Sequence, residues 1–372
     1  MKALYSVNHQ ELVENLQKLE EDNTVKSILF FKTNDDLFSD EYLTPLLQSF
    51  KKPLIGGVFY ELIFNSIRRS KGILLIPLKF KLITEVFNFA TDFPTNFEKL
   101  EKKFTDTLSE NGSVFIFTDA FTSSKSLFIE DLFNFFGFKF NFIGAGCGSD
   151  SFVSFPCVIH NSGIYANTGV IGFTEEPIKL GVAHGWTPIT DTLKVTESEI
   201  NKVISINWEP AFDIYKRVVE GYSGFKFDEV NFLDIAKSYP IGLVKIDGEM
   251  VIRDPFLTKD GAIYCLDNID KGQYIKIMNG DVNSLIAGAA DAAEFCNEID
   301  SNKSGDENFV FCIDCISRVK FLNEDYFKEL KAIGGDLPVN GTVSFGEIAN
   351  AGHSFLEIYN KTVIVATWKQ II

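Results

Sequence analysis

The sequence predicts an α/β fold, with mixed α+β character, divided into two lobes built from repeated strand–helix–strand–hairpin units with mixed sheets. Three observations lead to this class. Short apolar runs alternate with amphipathic stretches along the chain. The order strand, helix, strand and hairpin occurs over 25–90 and recurs over 112–190, which indicates an internal duplication. The length of 372 residues suits two or three domains of ordinary size.

The first unit opens with a buried strand, because its sequence KSILFFK holds a continuous apolar centre. A helix is expected next, with Asp40 as its cap, because leucines then recur at helical spacing. The predicted elements of this unit are the strand Lys26–Lys32, the helix Asp40–Phe50, the strand Leu54–Val58 and the β runs Gly72–Pro77 and Leu82–Phe89.

The second unit repeats this order, and its FIGAG segment matches LIGGV of the first. Its predicted elements are the strand Ser113–Thr118, the helix Ser124–Phe136, the strand Phe142–Gly146 and the β runs Val170–Thr174 and Lys179–Trp186. A weaker third copy follows near the C-terminus, with a strand at Phe309–Ile313, a helix at Glu324–Ile333, a strand at Thr342–Ile348 and a hairpin over Ser354–Trp368.

A domain boundary is predicted between the second and third units. Glu209–Gly221 has helical apolar spacing, with Pro210 in its first turn, and Gly221 and Gly224 end it. We therefore divide the chain into residues 1–225, which contain the duplication, and residues 226–372.

Charge and composition exclude several function classes. A net charge of −16 repels phosphate backbones, so we expect neither nucleic-acid binding nor docking on anionic membranes. The uncharged run Ser151–Thr174 contains Pro156 and His160, which favours a buried hairpin over a membrane span. No signal-peptide pattern opens the sequence, and six cysteines suit a reducing compartment. These features predict a cytoplasmic protein.

Known catalytic and metal motifs do not fit this sequence. There is no G-x-S-x-G elbow, no HExxH and no pair of histidines at metal spacing. Cys312 and Cys315 lie on a predicted strand, where buried structural cysteines are expected. The glycines from Gly144 to Gly148 follow a strand, but the helix and acidic residue of a dinucleotide site do not follow them. We therefore predict a protein that is not an enzyme and has no metal site.

An acidic residue follows each repeated strand, a short distance after a glycine. The acids are Glu61, Asp150 and Glu347, and two of the neighbouring glycines are Gly146 and Gly346. Ligands of α/β sheets bind at the carboxyl ends of strands, so these acids either ring one cleft or are ordinary polar loop residues.

Arg318 follows the first strand of the third copy, and its position favours the interpretation that the three acids surround one cleft. A guanidinium donates two parallel hydrogen bonds to a carboxylate, while Asp150 and Glu347 would hold an ammonium group. Together these groups describe an amino-acid pocket, with Trp186 as an apolar wall. An internal salt bridge between Arg318 and Glu347 is the alternative. Asn360 would line the cleft or cap a turn.

The joint order of several short motifs resembles the FIST domain, a bacterial sensory module of intracellular signal transduction. The resemblance covers about residues 25 to 368. In the first half it rests on the strand with Gly144, Gly146 and Asp150, on His184-Gly185-Trp186 with Pro188-Ile189, on Val195-Thr196 and on Glu209-Pro210-Ala211. In the second half it rests on Cys315-Ile-Ser-Arg318, on Gly341 through Ile348 and on Tyr359-Asn360-Lys-Thr362.

The resemblance implies a non-catalytic sensor of small ligands, with amino acids as the proposed class, in which 1–225 and 226–372 are the N- and C-terminal FIST domains. It singles out Asp150, Arg318, Gly346, Glu347 and Asn360. Since the sensor occupies almost all of this length, output is expected through a separate signalling protein such as a kinase or cyclase.

Two other functions remain open at this point. Some relatives are haem-linked gas sensors, for which His184 is the available axial ligand, although no cofactor is our first expectation. Paired carboxylates could also act as general acid and base on a small metabolite. Two departures from the family pattern are Gly144-Ala-Gly146 in place of a Gly-Gly pair and Tyr359 where a histidine often stands.

Overall fold

The mixed fold class is confirmed. The computed structural model describes residues 2–91, 97–104, 111–228, 231–245, 249–297, 307–350 and 355–370. Within these ranges, three six-stranded sheets combine parallel and antiparallel pairs, and a fourth sheet of nine strands is antiparallel throughout. The three mixed sheets share one strand pattern, and the fourth is inserted into the last of them.

The first mixed sheet has the order β1, β6, β2, β3, β10, β11. Asn8 caps its first helix by accepting a hydrogen bond from the Glu11 backbone N–H at 2.9 Å, and Ser39, rather than Asp40, caps the second. Its elements are β1 (Leu4–Ser6), α1 (His9–Glu21), β2 (Ser27–Thr33), α2 (Asp40–Ser49), β3 (Leu54–Phe59), β4 (Glu61–Phe64), β5 (Ile67–Arg69) and β6 (Ile73–Leu78).

The second unit follows with the same succession of elements and forms the sheet β7, β12, β8, β9, β25, β26. Its elements are β7 (Ile83–Asn88), α3 (Phe97–Phe104), β8 (Gly112–Asp119), α4 (Lys125–Phe136), β9 (Phe140–Cys147), β10 (Val158–His160), β11 (Gly163–Tyr165) and β12 (Thr168–Thr174). Its hydrophobic core is rich in phenylalanine, including Phe128, Phe136 and Phe173.

The third unit forms the sheet β13, β27, β23, β24, β4, β5, and an antiparallel sheet interrupts it after its first strand. The third unit comprises β13 (Lys179–Ala183) and, after the insertion, α7 (Val282–Asn297), β23 (Glu307–Cys315), α8 (Ile316–Leu322), α9 (Tyr326–Gly334), β24 (Val339–Ser344), β25 (Glu347–Ala349), β26 (Glu357–Tyr359) and β27 (Val363–Gln370). The insertion comprises β14 (Thr187–Pro188), β15 (Leu193–Glu199), β16 (Lys202–Ile206), β17 (Glu209–Pro210), α5 (Ala211–Ser223), α6 (Phe232–Ala236), β18 (Ile241–Leu243), β19 (Val251–Arg253), β20 (Pro255–Lys259), β21 (Ala262–Cys265) and β22 (Tyr274–Asn279).

The three units exchange their hairpins in a cycle. The hairpin β4–β5 of the first unit pairs with β24 of the third. The hairpin β10–β11 of the second pairs with β3 of the first, and β25–β26 of the third pairs with β9 of the second. Each sheet is therefore completed by a neighbouring unit, whose hairpin lies beside the second of the two parallel strands.

A repeated glycine explains the similarity of LIGGV and FIGAG. Gly56, Gly144 and Gly341 occupy matching places on the second parallel strand of each unit. A Cβ atom on any of them would overlap the backbone carbonyl oxygen of the residue beside it on the first parallel strand. Only glycine permits this close approach of two backbones.

Several predicted elements differ from the observed ones. Lys179–Ala183 pairs with Val363–Thr367 in the third sheet, so this run does not belong to the second unit's sheet. Thr342–Ile348 is two strands, because the chain turns at Gly346 with φ of +126°. The residues around Arg318 form the helix α8, and Glu209–Pro210 is a short strand before α5. Ser354, the predicted start of the last hairpin, lies outside the described residues.

Candidate functional site

A small polar cleft lies where segments belonging to all three mixed sheets meet. It has a volume of about 200 Å³. Asn34 follows β2 of the first sheet, Glu61 begins the strand that joins the third sheet, and Asp150 follows β9 of the second. Its lining residues are Asn34, Tyr60, Glu61, Ser70, Ser149 and Asp150. Two of the three predicted acids, Glu61 and Asp150, therefore share one cavity.

The two carboxylates of the cleft have different environments. The Glu61 Oε2 atom accepts a hydrogen bond from Arg68 Nε at 2.6 Å. Asp150 is exposed, and within the described part of the chain no cationic side chain lies within 4.0 Å of its carboxylate. Asp150 is therefore free to bind a cationic group, whereas Glu61 already forms a salt bridge with Arg68.

A positive charge lies next to the same cleft. The Lys320 ammonium is 5.1 Å from the centre of the Tyr60 ring, and Lys320 is exposed. Among the residues that the structure describes, no acidic side chain forms a salt bridge with this ammonium. The surroundings of the cleft thus provide a carboxylate at Asp150 and an ammonium at Lys320, and two serines and a tyrosine also line the cavity.

Arg318 does not reach this cleft, so its predicted role as a ligand clamp does not fit the geometry. Its side chain is fully buried. Its Nη1 atom donates to the carbonyl oxygens of His184 at 2.6 Å and Lys361 at 3.3 Å, and its Nη2 atom donates to that of Leu285 at 3.0 Å. Because backbone carbonyls use these donors, the guanidinium has none to offer a ligand in this state.

The acidic partners of Arg318 are Glu329 and Asp314, not Glu347 as the predicted alternative had it. Arg318 Nη2 also forms an ion pair with Glu329, and its Nε atom lies 3.3 Å from Asp314 Oδ1. Burial raises the pKa of Glu329 to about 8 even though the guanidinium beside it acts in the opposite direction. Two buried acids around one guanidinium form a structural network beneath α8.

Glu347 is also buried and lies outside the cleft. Its Oε1 atom accepts a hydrogen bond from Ser344 Oγ at 2.7 Å, and its Oε2 atom has no hydrogen-bond partner in the described part of the chain. Burial, assisted by the negative charge of Asp314, raises the pKa of the Glu347 carboxyl well above its usual range. Only two of the three predicted acids, Glu61 and Asp150, therefore line the cleft, and Glu347 is buried elsewhere.

The two predicted glycines meet, but as structural contacts. The Gly146 N–H donates to the Gly346 carbonyl at 2.8 Å, and the Gly146 carbonyl accepts from the Phe345 N–H at 3.1 Å. A Cβ atom on Gly146 would lie 2.9 Å from the Phe345 carbonyl oxygen. These glycines thus join β9 to the turn before Glu347.

Asn360 and Trp186 are held by buried polar contacts, and those of Asn360 fasten the inserted sheet to the units. Asn360 Nδ2 donates to Asp267 Oδ2 at 2.7 Å, and Asp267 Oδ1 pairs with Lys125 Nζ at 2.7 Å. Trp186 Nε1 donates to the Lys361 carbonyl at 3.1 Å. Although burial alone would raise the pKa of Asp267, Lys125 and Arg253 lower it, so this carboxylate stays charged inside the protein. Neither Asn360 nor Trp186 lines the cleft.

His184 is not placed as an axial haem ligand. Its Nδ1 atom accepts a hydrogen bond from the Trp186 N–H at 2.9 Å, and its Nε2 atom lies 2.9 Å from Glu249 Oε1. An axial ligand needs a ring nitrogen with a free lone pair beside open space, whereas this ring is buried. The side chains around His184 therefore do not fit a haem group.

Four cleft residues were not predicted from the sequence: Asn34, Tyr60, Ser70 and Ser149. The rule that identified Glu61 also applies to Asn34, because both follow a parallel strand of the first unit. Tyr60 and Ser149 directly precede the predicted acids. Ser70 reaches the cleft through the hairpin exchange, which no local sequence pattern reveals.

Two family descriptions together match most of the chain. The FIST N domain family matches residues 26–209, and the FIST C domain family matches residues 211–350. No individual protein with a curated description matches the chain. Within the described ranges, every helix is too short or too polar to cross a bilayer. The chain belongs to the FIST family, whose domains are small-ligand sensory domains of signalling proteins.

Proposed function

We propose that this protein senses an amino acid or a similar small metabolite in the cleft between Glu61 and Asp150. The observation that carries the proposal is the convergence of segments belonging to three sheets on one polar cavity that contains two carboxylates. Asp150 would bind the ligand's ammonium group with help from Glu61. Lys320, rather than Arg318, would attract the ligand's carboxylate.

A ligand of this class suits the size and polarity of the cleft. A volume of about 200 Å³ admits a small metabolite but not a large cofactor. Hydroxyl groups of Tyr60, Ser70 and Ser149 can donate to a carboxylate or accept from an ammonium group. The proposal requires no metal or cofactor.

Signalling would pass to a separate partner protein, such as a kinase or cyclase, in the cytoplasm. The support for the partner is the family, which is sensory and non-enzymatic. The support for the compartment is that all six cysteines are free and buried, as expected for a protein kept in a reducing environment.

The proposal is tested by isothermal titration and thermal shift with the twenty amino acids, each compared with its N-acetyl and amide derivatives. We expect at least one amino acid to stabilise the protein and both derivatives to bind more weakly. A ligand at one hundred times its Kd adds about 2.7 kcal/mol to the free energy of unfolding, which is a readily measured shift.

Asp150→Asn is the decisive variant, because it removes one charge from an exposed side chain and preserves its shape. We expect its affinity for the identified amino acid to fall at least tenfold. Asp191→Asn is the matched control, since Asp191 is exposed on the loop between β14 and β15. Undiminished binding by Asp150→Asn would refute the site. Conversion of the ligand during incubation, followed by mass spectrometry, would favour an enzyme that uses the paired carboxylates.

A further inference from the structure

A second and larger cavity lies in the inserted sheet, between α5, α6 and the edge strand β20. Its volume is about 630 Å³, within the range of small-molecule sites. Its walls carry four phenylalanines, Phe212, Phe227, Phe232 and Phe256, together with two leucines. None of the residues of the Glu61–Asp150 cleft contributes to it.

The phenylalanines form a packed floor with an open apolar mouth. Phe212, Phe227 and Phe232 contact one another, with ring centres 5.5 to 5.8 Å apart. Phe227 and Phe232 are buried, whereas Phe256 at the mouth is 38% exposed and Leu257 beside it is 45% exposed. Ordered aromatic rings below exposed apolar side chains provide a preformed surface for a ring or a short hydrocarbon chain.

The ammonium group of Lys216, on the cavity wall, has hydrogen-bond donors that no acceptor uses in the described part of the chain. Lys216 Nζ lies 3.9 Å from Glu220 Oε1, which is beyond hydrogen-bond distance. Glu220 instead accepts hydrogen bonds from Lys226 Nζ and the Phe227 N–H, both at 2.9 Å. In the part of the chain that the structure describes, Lys216 donates no side-chain hydrogen bond.

The acidic residue on the same wall is engaged in its own turn. Asp228 Oδ1 accepts a hydrogen bond from the Asn231 N–H at 3.0 Å, and Asn231 Oδ1 accepts one from the Asp228 N–H at 2.9 Å. This reciprocal pair fixes the approach to α6. The cavity therefore combines an aromatic floor with an available cation at Lys216.

We propose that this cavity binds a small amphipathic carboxylate, whose apolar body lies on the phenylalanines and whose carboxylate accepts a hydrogen bond from Lys216. The match is one of charge as well as shape, because an ammonium group beside an apolar wall favours an anion with a hydrocarbon body. The site goes beyond the amino-acid cleft, which lies at the mixed sheets, and it gives the sensor a second input.

Three probes with one hydrocarbon body test the proposal: 3-phenylpropionate, 3-phenylpropanol and 3-phenylpropylamine, each titrated against the full chain by calorimetry. We expect the acid to bind at least tenfold more tightly than the alcohol and the amine. Lys216→Gln should remove this preference but keep the binding of the alcohol. Phe256→Ala should weaken all three probes by similar factors, and because Phe256 is partly exposed we expect the variant to fold.

Lys259→Gln is the matched control, since Lys259 is exposed on β20 but does not line the cavity. Melting temperatures of the unliganded variants establish that each is folded. Equal binding of the three probes, a preference that survives Lys216→Gln, or a dimer that Phe256→Ala dissociates would overturn the proposal. Loss of 3-phenylpropionate binding in Asp150→Asn would also overturn it, because the acid would then occupy the amino-acid cleft. If Asp150→Asn still binds 3-phenylpropionate, the second cavity is supported whether or not the Glu61–Asp150 cleft binds an amino acid.

Discussion

The buried carboxyl of Glu347 gives the stability of this protein a predicted dependence on pH, which Glu347→Gln should remove. Glutamine has the shape of the protonated acid and cannot ionise. Glu347 is fully buried, and its Oε2 atom has no hydrogen-bond partner among the described residues. The folded protein therefore keeps a proton on this carboxyl well above the pH at which the unfolded chain releases it.

The sign and size of the effect follow from proton linkage. A raised pKa in the folded state contributes stability that is fully present below the unfolded pKa of about 4.5 and is lost as pH rises towards the folded pKa. Each pH unit in that window lowers the free energy of unfolding by about 1.4 kcal/mol. Between pH 5.5 and 7.5, the wild-type protein should lose about 2.7 kcal/mol relative to Glu347→Gln if the folded pKa lies above this range.

Urea denaturation at half-unit pH steps measures the difference between the two proteins. Contributions from the buried acids Asp314 and Glu329 occur in both proteins and largely cancel in that difference. The pH at which the difference stops growing gives the folded pKa of Glu347. Glu130→Gln, on the exposed face of α4, is the control and should follow the wild type. Parallel curves for wild type and Glu347→Gln would contradict this prediction, because they would show that Glu347 titrates as an ordinary glutamate.

Two further substitutions test the roles assigned to other residues. Arg318→Met should lower the free energy of unfolding by about 3–5 kcal/mol, because it leaves Asp314 and Glu329 buried without their cation. Arg318→Lys should not restore this loss. A free energy of unfolding within about 1 kcal/mol of wild type, measured with urea, would contradict the network. Trp208→Asn should raise the free energy of unfolding by about 0.5–1 kcal/mol. Trp208 is 83% exposed and has a φ of +69°, a backbone conformation that asparagine tolerates better than tryptophan. A fall in melting temperature would instead show that the indole has a structural role.

Local sequence patterns identified the parallel strands of the repeated units, but they assigned Leu82–Phe89 and Lys179–Trp186 to the preceding unit instead of the following one. Apolar runs predicted β2, β3, β8 and β9, because a strand buried on both faces needs a continuous apolar sequence. The helices α2 and α4 followed from apolar spacing. These features depend on neighbours along the chain, and they are visible without knowledge of the fold.

Partners distant in sequence were not predictable in this way. Glu61 pairs with Val343, and Lys179 pairs with Thr367, although both pairs are far apart in the sequence. Arg318 illustrates the consequence for site prediction. A charged residue after a strand suggested a ligand clamp, but a helix turns its side chain inward, where carbonyl groups of distant segments accept its hydrogen bonds.

The cyclic exchange of hairpins would let a ligand in the proposed Glu61–Asp150 site act on three sheets at once. Glu61 lies on a strand that is hydrogen-bonded to the third sheet, whereas Asn34 extends from the first sheet and Asp150 from the second. A ligand that binds these side chains together would stabilise the relative placement of three sheets with contacts to only a few residues. By linkage, any partner that prefers this arrangement binds more tightly when the ligand is present, and the ligand binds more tightly when the partner is present.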